Sequence, residues 1–416
     1  RQYRLHPDQD HGSQRLCRPS GASRVRARRR DPGGIKVDMA KVKARKDGVV
    51  ALSTTGVERH LRSEPNCSVY RGHGRFVSPR EVQVGGELLG AEKIFINVGG
   101  RASRPPITGL DQVPFLTNSS MMNVDFLPEH LVIVGGSYIG LEFGQMFRRF
   151  GSKVTIVEMA PRLVPREDED VSAAIAEIMA KEGIELRLNA TCIHLSRHDR
   201  GIAVGVDCAE GPPEVVGTHL LMAVGRHANT DDLGLDKAGV AVDPRGYILV
   251  DDELSTNVPG IWALGDCNGK GAFTHTSYND FEIVADNLLD GGHRRVSDRL
   301  SAYALYIDPP LGRAGMTETE IRKTGRPALT AKIDMEDVSR AFEKSETEGF
   351  MKIAVDTETR QILGAAFLGV SGDEVIHTVL DLMYAKAPYG VLQRAVHIHP
   401  TVSEFIPVLI GGLKHL

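Results

Sequence analysis

The sequence predicts an α/β protein in which a Rossmann-like, parallel-sheet unit is followed by a separate α+β unit, and three observations carry that prediction. The apolar run Leu131-Val-Ile-Val134 meets the glycine turn Gly135-Gly-Ser-Tyr-Ile-Gly140, helix-compatible residues continue to Phe150, and a second apolar run follows at Val154-Thr-Ile-Val-Glu158. A helical pattern at 168–182 and a strand pattern at 184–188 extend this to βαβαβ, whose parallel strands need cover on both faces. From Ala302 onward, strand patterns at 328–333, 349–355 and 362–369 lead into a helix near 372–386, an α+β order of its own.

The chain opens on an anomaly. Residues 1–30 hold nine Arg, no Lys and two Asp, a formal +7, so the remainder carries −11 towards the total of −4. No run of about 18 apolar residues occurs, which excludes a transmembrane helix, and the head has no apolar stretch to serve as a signal peptide. A basic arm for nucleic acid or membrane is disfavoured, because the head shows no aromatic or helical pattern. The expectation is a cytoplasmic protein without nucleic-acid or membrane partners. Cys17, Cys67, Cys192, Cys208 and Cys267 are scattered, with no C-x-x-C, no C-x-x-x-x-C and no metal-ligand spacing. They read as plain thiols of a reducing compartment, and no metal site is expected.

Residues 36–130 mix short apolar runs with Gly and Pro punctuation, so sheet structure is expected to begin there. Glu92-Lys-Ile-Phe-Ile-Asn-Val-Gly-Gly100 reads as a buried strand ending in a glycine turn. The connection at 255–260 leads into a further strand and turn, Ile261-Trp-Ala-Leu-Gly-Asp266, and a helix at about 277–290.

The turn at 135–140 carries chemistry. Gly135 permits a sharp turn after the strand, Gly140 lets the helix sit close to the sheet, and the helix N-terminus presents N–H groups to a pyrophosphate. Gly136, Ser137, Tyr138 and Ile139 complete the cradle, with Ser137 at the middle glycine position, and Gly144 follows on the inner face of the helix. Glu158 ends the next strand, 18 residues beyond Gly140, where a carboxylate accepts from the adenosine ribose 2′-OH. Its charge favours NAD, while Arg162 just beyond it keeps NADP possible as a reading.

At this point the chain resembles the class I pyridine nucleotide-disulfide oxidoreductases, the flavoproteins that include dihydrolipoamide dehydrogenase, glutathione reductase and mercuric reductase. The resemblance covers about residues 36–416, and its motifs stand in the family's order: Phe95-Ile-Asn-Val-Gly-Gly-Arg101 before Pro105-Pro106, the turn 135–140, Met222-Ala-Val-Gly-Arg226 with Asn229-Thr230, Trp262-Ala-Leu-Gly-Asp266, and His397-Ile-His-Pro-Thr-Val-Ser-Glu404. It implies FAD- and NAD(P)-binding Rossmann-like domains, the first one truncated, and a C-terminal α+β dimerisation domain. The implied boundaries are 36–128 with 244–298 for the FAD domain, 129–243 for the NAD(P) domain and 299–416 for the dimerisation domain.

The resemblance also implies roles. Asp266 would accept from hydroxyls of the flavin's ribityl or ribose, with Gly265 giving the backbone room. Gly99 and Gly100 would line FAD, Gly74 would face its adenine, and Gly225 would approach the nicotinamide nucleotide in the middle domain. His399, with Glu404 fixing its tautomer, would take the proton of a dithiol at the other subunit of a homodimer; an imidazole titrates near pH 6.5, close to working pH. A cis His399–Pro400 peptide is implied, while His397 reads as structural. The expected function is an FAD-dependent, NAD(P)H-linked oxidoreductase acting on a dithiol or disulfide. Mercuric reductase is an alternative, weakened because mercury reduction in the family relies on a C-terminal cysteine pair and no cysteine follows Cys267. A nucleotide-binding relic without the redox disulfide is the other alternative.

Three family elements do not occur in the 416 residues: the first strand, the first glycine fingerprint and the C-x-x-x-x-C disulfide. Residues 1–12 admit codons that, read one base later, spell Val-Asn-Thr-Gly-Cys-Ile-Pro-Thr-Lys-Thr-Met, the family's redox motif minus its first cysteine. Only the middle base of each new codon is free in this exercise. The expectation is a frameshifted, unstructured head over residues 1–35, with the true frame restored before Ile35.

Overall fold

A computed structural model describes residues 36–207 and 211–416. The expectation of a frameshifted, unstructured head falls on residues 1–35 and so lies outside the described residues. Two compact units emerge, residues 40–105 with 224–299 and residues 106–223 with 300–416.

The first unit carries three small sheets. Gly74–Ser78, Glu81–Val84 and Glu87–Gly90 form an antiparallel meander. Ile94–Ile96 runs parallel to Ile261–Ala263, and Gly100–Ala102 pairs antiparallel with Arg226–Ala228. Phe76, Ile96, Ala228, Leu233, Ile261 and Cys267 share one core, and the helix Thr274–Ala285 closes a second one with Leu254, Leu264, Ile283 and Val284. The outer face of the parallel pair shows Phe95 stacked on Trp262, ring centroids 5.2 Å apart and 25° from coplanar.

The helix Met39–Ser63 occupies a stretch expected to begin the sheet. No apolar stripe announces it, and Leu52 stands exposed on it. Its support is polar: Arg62 reaches Glu58 at 2.9 Å one turn back, Lys43 pairs with Asp47, and no proline interrupts residues 39–63.

The second unit is built around a four-stranded parallel sheet in the order His219–Met222, His130–Val134, Lys153–Val157, Glu185–Arg187. The helices Tyr138–Phe150 and Glu169–Lys181 make the crossovers, as the apolar runs foretell. An antiparallel sheet of Thr191–His198, Gly201–Asp207 and Glu214–Gly217 is added, which the sequence reading did not resolve. The C-terminal part is a six-stranded antiparallel sheet in the order Ala302–Leu305, Leu311–Gly315, Ile362–Leu368, Phe350–Asp356, Ala328–Asp334, Lys414–His415. The helix Gly372–Tyr384 packs on it, and Phe367, Ile353, Val355 and Ile406 centre its core.

The unit boundaries fall at 105/106 and 223/224, where the sequence expectation has 128/129 and 243/244. The cause is hydrogen bonding. Leu116 exchanges backbone bonds with Leu220 and Met222, 2.7 and 2.8 Å, and so joins the parallel sheet. Ser103 N–H reaches Gly225 O at 2.9 Å and Phe76 N–H reaches Leu233 O at 2.7 Å, which draws 224–243 into the first unit. The parallel-sheet and C-terminal parts, expected as separate domains, cluster as one because buried polar links such as Gln145 to Asp308 O at 2.7 Å join them. Among the described residues no helix is long and apolar enough to cross a membrane.

Candidate functional site

The glycine turn after His130–Val134 is shaped by contacts that leave no room for side chains. Gly135 sits at φ +114°, in the region that favours glycine, and donates to Val157 O at 2.8 Å. A Cβ on Gly140 would lie 2.0 Å from Gly135 O, so the helix rests directly on the turn. Gly144 lies close to the Ile133 and Ile156 side chains, where a Cβ would stand 3.3 and 3.1 Å away. Ser137 is the N-cap in extended conformation and its side chain makes no capping bond. Gly136 is buried, whereas Ser137, Tyr138 and Ile139 are half-buried at the mouth of the turn.

Glu158 lies beneath this turn. Its carboxylate accepts Gly136 N–H at 2.5 Å and Ala160 N–H at 2.7 Å, which fixes both oxygens. Arg162 is turned away to Pro165 O at 3.2 Å. The arrangement fits a dinucleotide: the N-terminus of the helix Tyr138–Phe150 for a pyrophosphate and an oriented acid for a ribose diol.

The first unit gathers most of the residues expected at FAD. Gly99 has φ +67° and accepts Asn229 N–H at 3.0 Å, and a Cβ on Gly100 would meet His227 O at 2.9 Å. Gly265, at φ +70°, donates to Asp280 Oδ2 at 2.8 Å and has Asn97 Oδ1 and Ser277 Oγ where a Cβ would come within 2.7 Å. Asp266 follows in this turn, and Arg226 bridges it at 3.5 Å to Gly100 O at 2.7 Å. The backbone crowding around Gly265 and the bridged carboxylate of Asp266 fit the sugar part of FAD. Gly225 needs correcting: it belongs to this unit rather than the middle domain, because its carbonyl holds Ser103 N–H beside the paired strands Gly100–Ala102 and Arg226–Ala228. Gly74 opens the meander opposite Val84, and a Cβ there would make ordinary contacts at 3.5 and 3.7 Å.

Sequence reasoning missed Asp280 and gave Arg226 no role. Asp280, buried, also accepts Asn268 Nδ2 at 2.9 Å and pairs with Arg299, so it anchors the Gly265 turn to the helix Thr274–Ala285. A lone Asp inside a helical pattern carries no signal of such a role. Cys267 is buried, with its thiol 3.2 Å from Leu264 O, and burial pushes its pKa up to about 11, which disfavours the thiolate.

His399 and Glu404 meet in the second unit, between the helices Gly390–Arg394 and Ile406–Gly411. The His399–Pro400 peptide is cis, as the resemblance implies. His399 Nδ1 lies 3.0 and 3.2 Å from the two Glu404 oxygens, and Thr401 N–H donates to the same carboxylate at 3.1 Å. Burial pushes the Glu404 carboxyl up, but the His399 and Thr401 bonds outweigh it and hold it below the usual carboxylate range. The imidazole is 74% exposed and flanked by the bare apolar side chains of Val396 and Ile398. With Nδ1–H given to Glu404, Nε2 is the ring nitrogen left to accept a proton.

The profile described as pyridine nucleotide-disulphide oxidoreductase matches residues 16–280, and that family's dimerisation domain matches residues 301–409. The chain is 37% identical over 383 residues to the probable pyridine nucleotide-disulfide oxidoreductase RclA of Escherichia coli K12, covering 91% of this chain and 86% of that one. A dihydrolipoyl dehydrogenase of Thermus scotoductus is 32% identical over 373 residues, covering 89% and 80%. A mercuric reductase of Streptomyces lividans is 32% identical over 364 residues, covering 86% and 77%. Among solved structures, the HOCl-induced flavoprotein disulfide reductase RclA of Escherichia coli superposes with a TM-score of 0.85 at 36% identity, covering 90% of this chain and 86% of that one.

Proposed function

Because the chain belongs to the pyridine nucleotide-disulphide oxidoreductase family and is an FAD-dependent, NAD(P)H-linked oxidoreductase of the disulfide reductase type, we propose that His399 and Glu404 manage the proton of a dithiol or disulfide substrate. The observation that carries this reading is the contact of both Glu404 oxygens with His399 Nδ1, which fixes one tautomer and leaves Nε2 as the nitrogen able to take a proton. His399 Nε2 accepts the thiol proton as the thiolate forms and returns it on release, while Glu404 balances the imidazolium charge.

Gly135, Gly136, Ser137, Tyr138, Ile139 and Gly140 hold the nicotinamide dinucleotide by its pyrophosphate, and Glu158 orients its adenosine ribose. Glu158 would face a 2′-phosphate with like charge, and Arg162 is engaged by Pro165 O, which supports NADH over NADPH. Gly99, Gly100, Gly265 and Asp266 hold FAD, with Gly225 beside them. Bound FAD supplies the two-electron relay between nicotinamide and thiol. The working unit is a homodimer: the exposed Val396 and Ile398 beside His399 form the apolar surround that a partner subunit would cover. The protein acts in the cytoplasm, the compartment in which thiols stay reduced.

The experiment is a spectrum and an assay on the purified protein. A yellow flavin spectrum that bleaches with NADH, together with NADH-dependent reduction of a small disulfide, is expected. A colourless dimer that binds NADH without turnover would instead support a nucleotide-binding relic. Mercuric ion reduction is not expected, since the chain has no cysteine after Cys267.

A further inference from the structure

Two buried carboxylates brace glycine turns from outside the turns themselves. Glu167 does so at one remove: Arg313 Nε donates to it at 3.1 Å, its own N–H reaches Val164 O at 2.9 Å, and Val164 N–H reaches Gly136 O at 3.0 Å. Asp280, on the helix Thr274–Ala285 and only 1% exposed, does so directly. Its Oδ2 accepts Gly265 N–H at 2.8 Å and Asn268 Nδ2 at 2.9 Å. Gly265 and Asn268 are the first and last residues of the single 3₁₀ turn that carries Asp266, so one oxygen closes both ends of that turn. The other oxygen, Oδ1, takes Arg299 Nη2, and Arg299 Nε is held in turn by Asn279 Oδ1 at 2.8 Å.

The turn needs this brace. Gly265 and Gly269, which bound it, both lie at φ +70°, and glycine is the residue whose own dihedral preferences hold the backbone least. Asn268 ties the turn to the preceding strand through Ala263 O at 3.0 Å and to the following residues through Lys270 N–H at 2.8 Å, but it depends on Asp280 for its remaining bond. Between these ends stands Asp266. Its side chain is 12% exposed, and among the described residues the one partner of its carboxylate is Arg226 at 3.5 Å. Lone pairs are therefore left for hydroxyl donors, and the backbone of the turn sets where they point.

We propose that Asp280 is a positioning residue for FAD: through Gly265 N–H and Asn268 it holds the 3₁₀ turn, and with it Asp266, in the conformation that meets the cofactor's sugar hydroxyls, while Arg299 keeps the Asp280 carboxylate in place. The inference rests on the reading of Gly265 and Asp266 as FAD residues. Without Asp280 the Gly265 N–H and the Asn268 amide lose a buried acceptor, and the bound cofactor has to order the turn at the expense of its own affinity.

The test is FAD release from the holoenzyme, followed by the flavin fluorescence regained on dissociation, with circular dichroism as the measure of folding. Asp280→Ala is expected to raise the FAD dissociation constant by about 10- to 100-fold, the scale of a hydrogen bond to a charged acceptor. Asp280→Asn keeps an oxygen for Gly265 N–H but sets an amide N–H against Arg299, and should weaken FAD by about 3- to 10-fold. Adding Arg299→Gln lets the Gln oxygen accept that N–H, and affinity should return to within about 3-fold of the unsubstituted protein, a rescue that a general loss of stability would not give. An unchanged dissociation constant in Asp280→Ala overturns the proposal, as does a double variant no better than Asp280→Asn. If Asp280→Ala does not fold, Asp280→Asn and the double variant decide. Asp266→Ala checks the reading beneath: FAD affinity unchanged in that variant removes the assignment of the turn to FAD, and the proposal with it, whereas weakened affinity there beside an unchanged Asp280→Ala removes the proposal alone.

Discussion

At the scale of single residues, the site's chemistry divides between groups that meet a ligand and groups that hold those groups still. On the proposed reading His399 is of the first kind. His399→Ala is expected to lower the rate of disulfide reduction by about 10²–10⁴-fold, the usual worth of a positioned general base, while NADH-to-dye transfer persists because no thiol proton is moved there. Parallel assays with the two acceptors check this. On the same reading Glu158 is also of the first kind, and Glu158→Gln removes the charge that would oppose a 2′-phosphate. The ratio of kcat/KM for NADH to that for NADPH should fall by about 10-fold, the scale of one charged contact, as steady-state rates with each nucleotide would show. Arg313 is of the second kind. Arg313→Met leaves Glu167 buried and unpaired and is expected to cost about 3–5 kcal/mol of stability, whereas adding Glu167→Gln to it should restore part of that loss. Denaturant unfolding of the two variants makes the comparison.

At the scale of elements, the parallel-sheet unit was legible because strand, glycine turn, helix and acid each leave a mark at fixed spacing, and the structure places Gly135, Gly140, Gly144 and Glu158 in one cradle. Gly140→Ala should be tolerated poorly, since its Cβ would fall 2.0 Å from Gly135 O and the helix would have to lift off the turn. The expected outcome is a protein that keeps its flavin and loses most of its NADH affinity, read by NADH titration beside the visible spectrum. The helix Met39–Ser63 was not legible, because its exposed surface and polar i,i+4 pairs give no apolar period to detect. The strands Thr191–His198 and Gly201–Asp207 were missed for a related reason, alternating residues without a strong turn signal between them. The loop 163–170 was invisible in a different way. Its residues Glu167 and Asp168 look like a solvated acidic run, and only the fold reveals that Arg313 and Lys352 are waiting for them.

At the scale of the whole molecule, that acidic run gives the second unit a pH limit. Burial pushes the Asp168 carboxyl up, but the backbone N–H groups of Thr319 and Glu318 and the Lys352 ammonium outweigh it and hold the pKa at about 2, below the ordinary 3.8. A depressed carboxyl stabilises the fold above its ordinary value and loses that contribution as pH falls through the folded value, so roughly 2 kcal/mol should disappear between about pH 4 and pH 2. Asp168→Asn should flatten that part of the acid unfolding curve followed by circular dichroism. The motif order of the sequence did not reveal that 106–223 and 300–416 make one unit, since the links responsible join residues about 150 positions apart. Trp262 turns this division into something measurable. It is the sole tryptophan of the chain and stacks on Phe95 in the unit of residues 40–105 and 224–299. Indole emission therefore reports one unit while tyrosine, present in both, reports the pair, and a melt in which the two emissions change at different temperatures would reveal two unfolding steps.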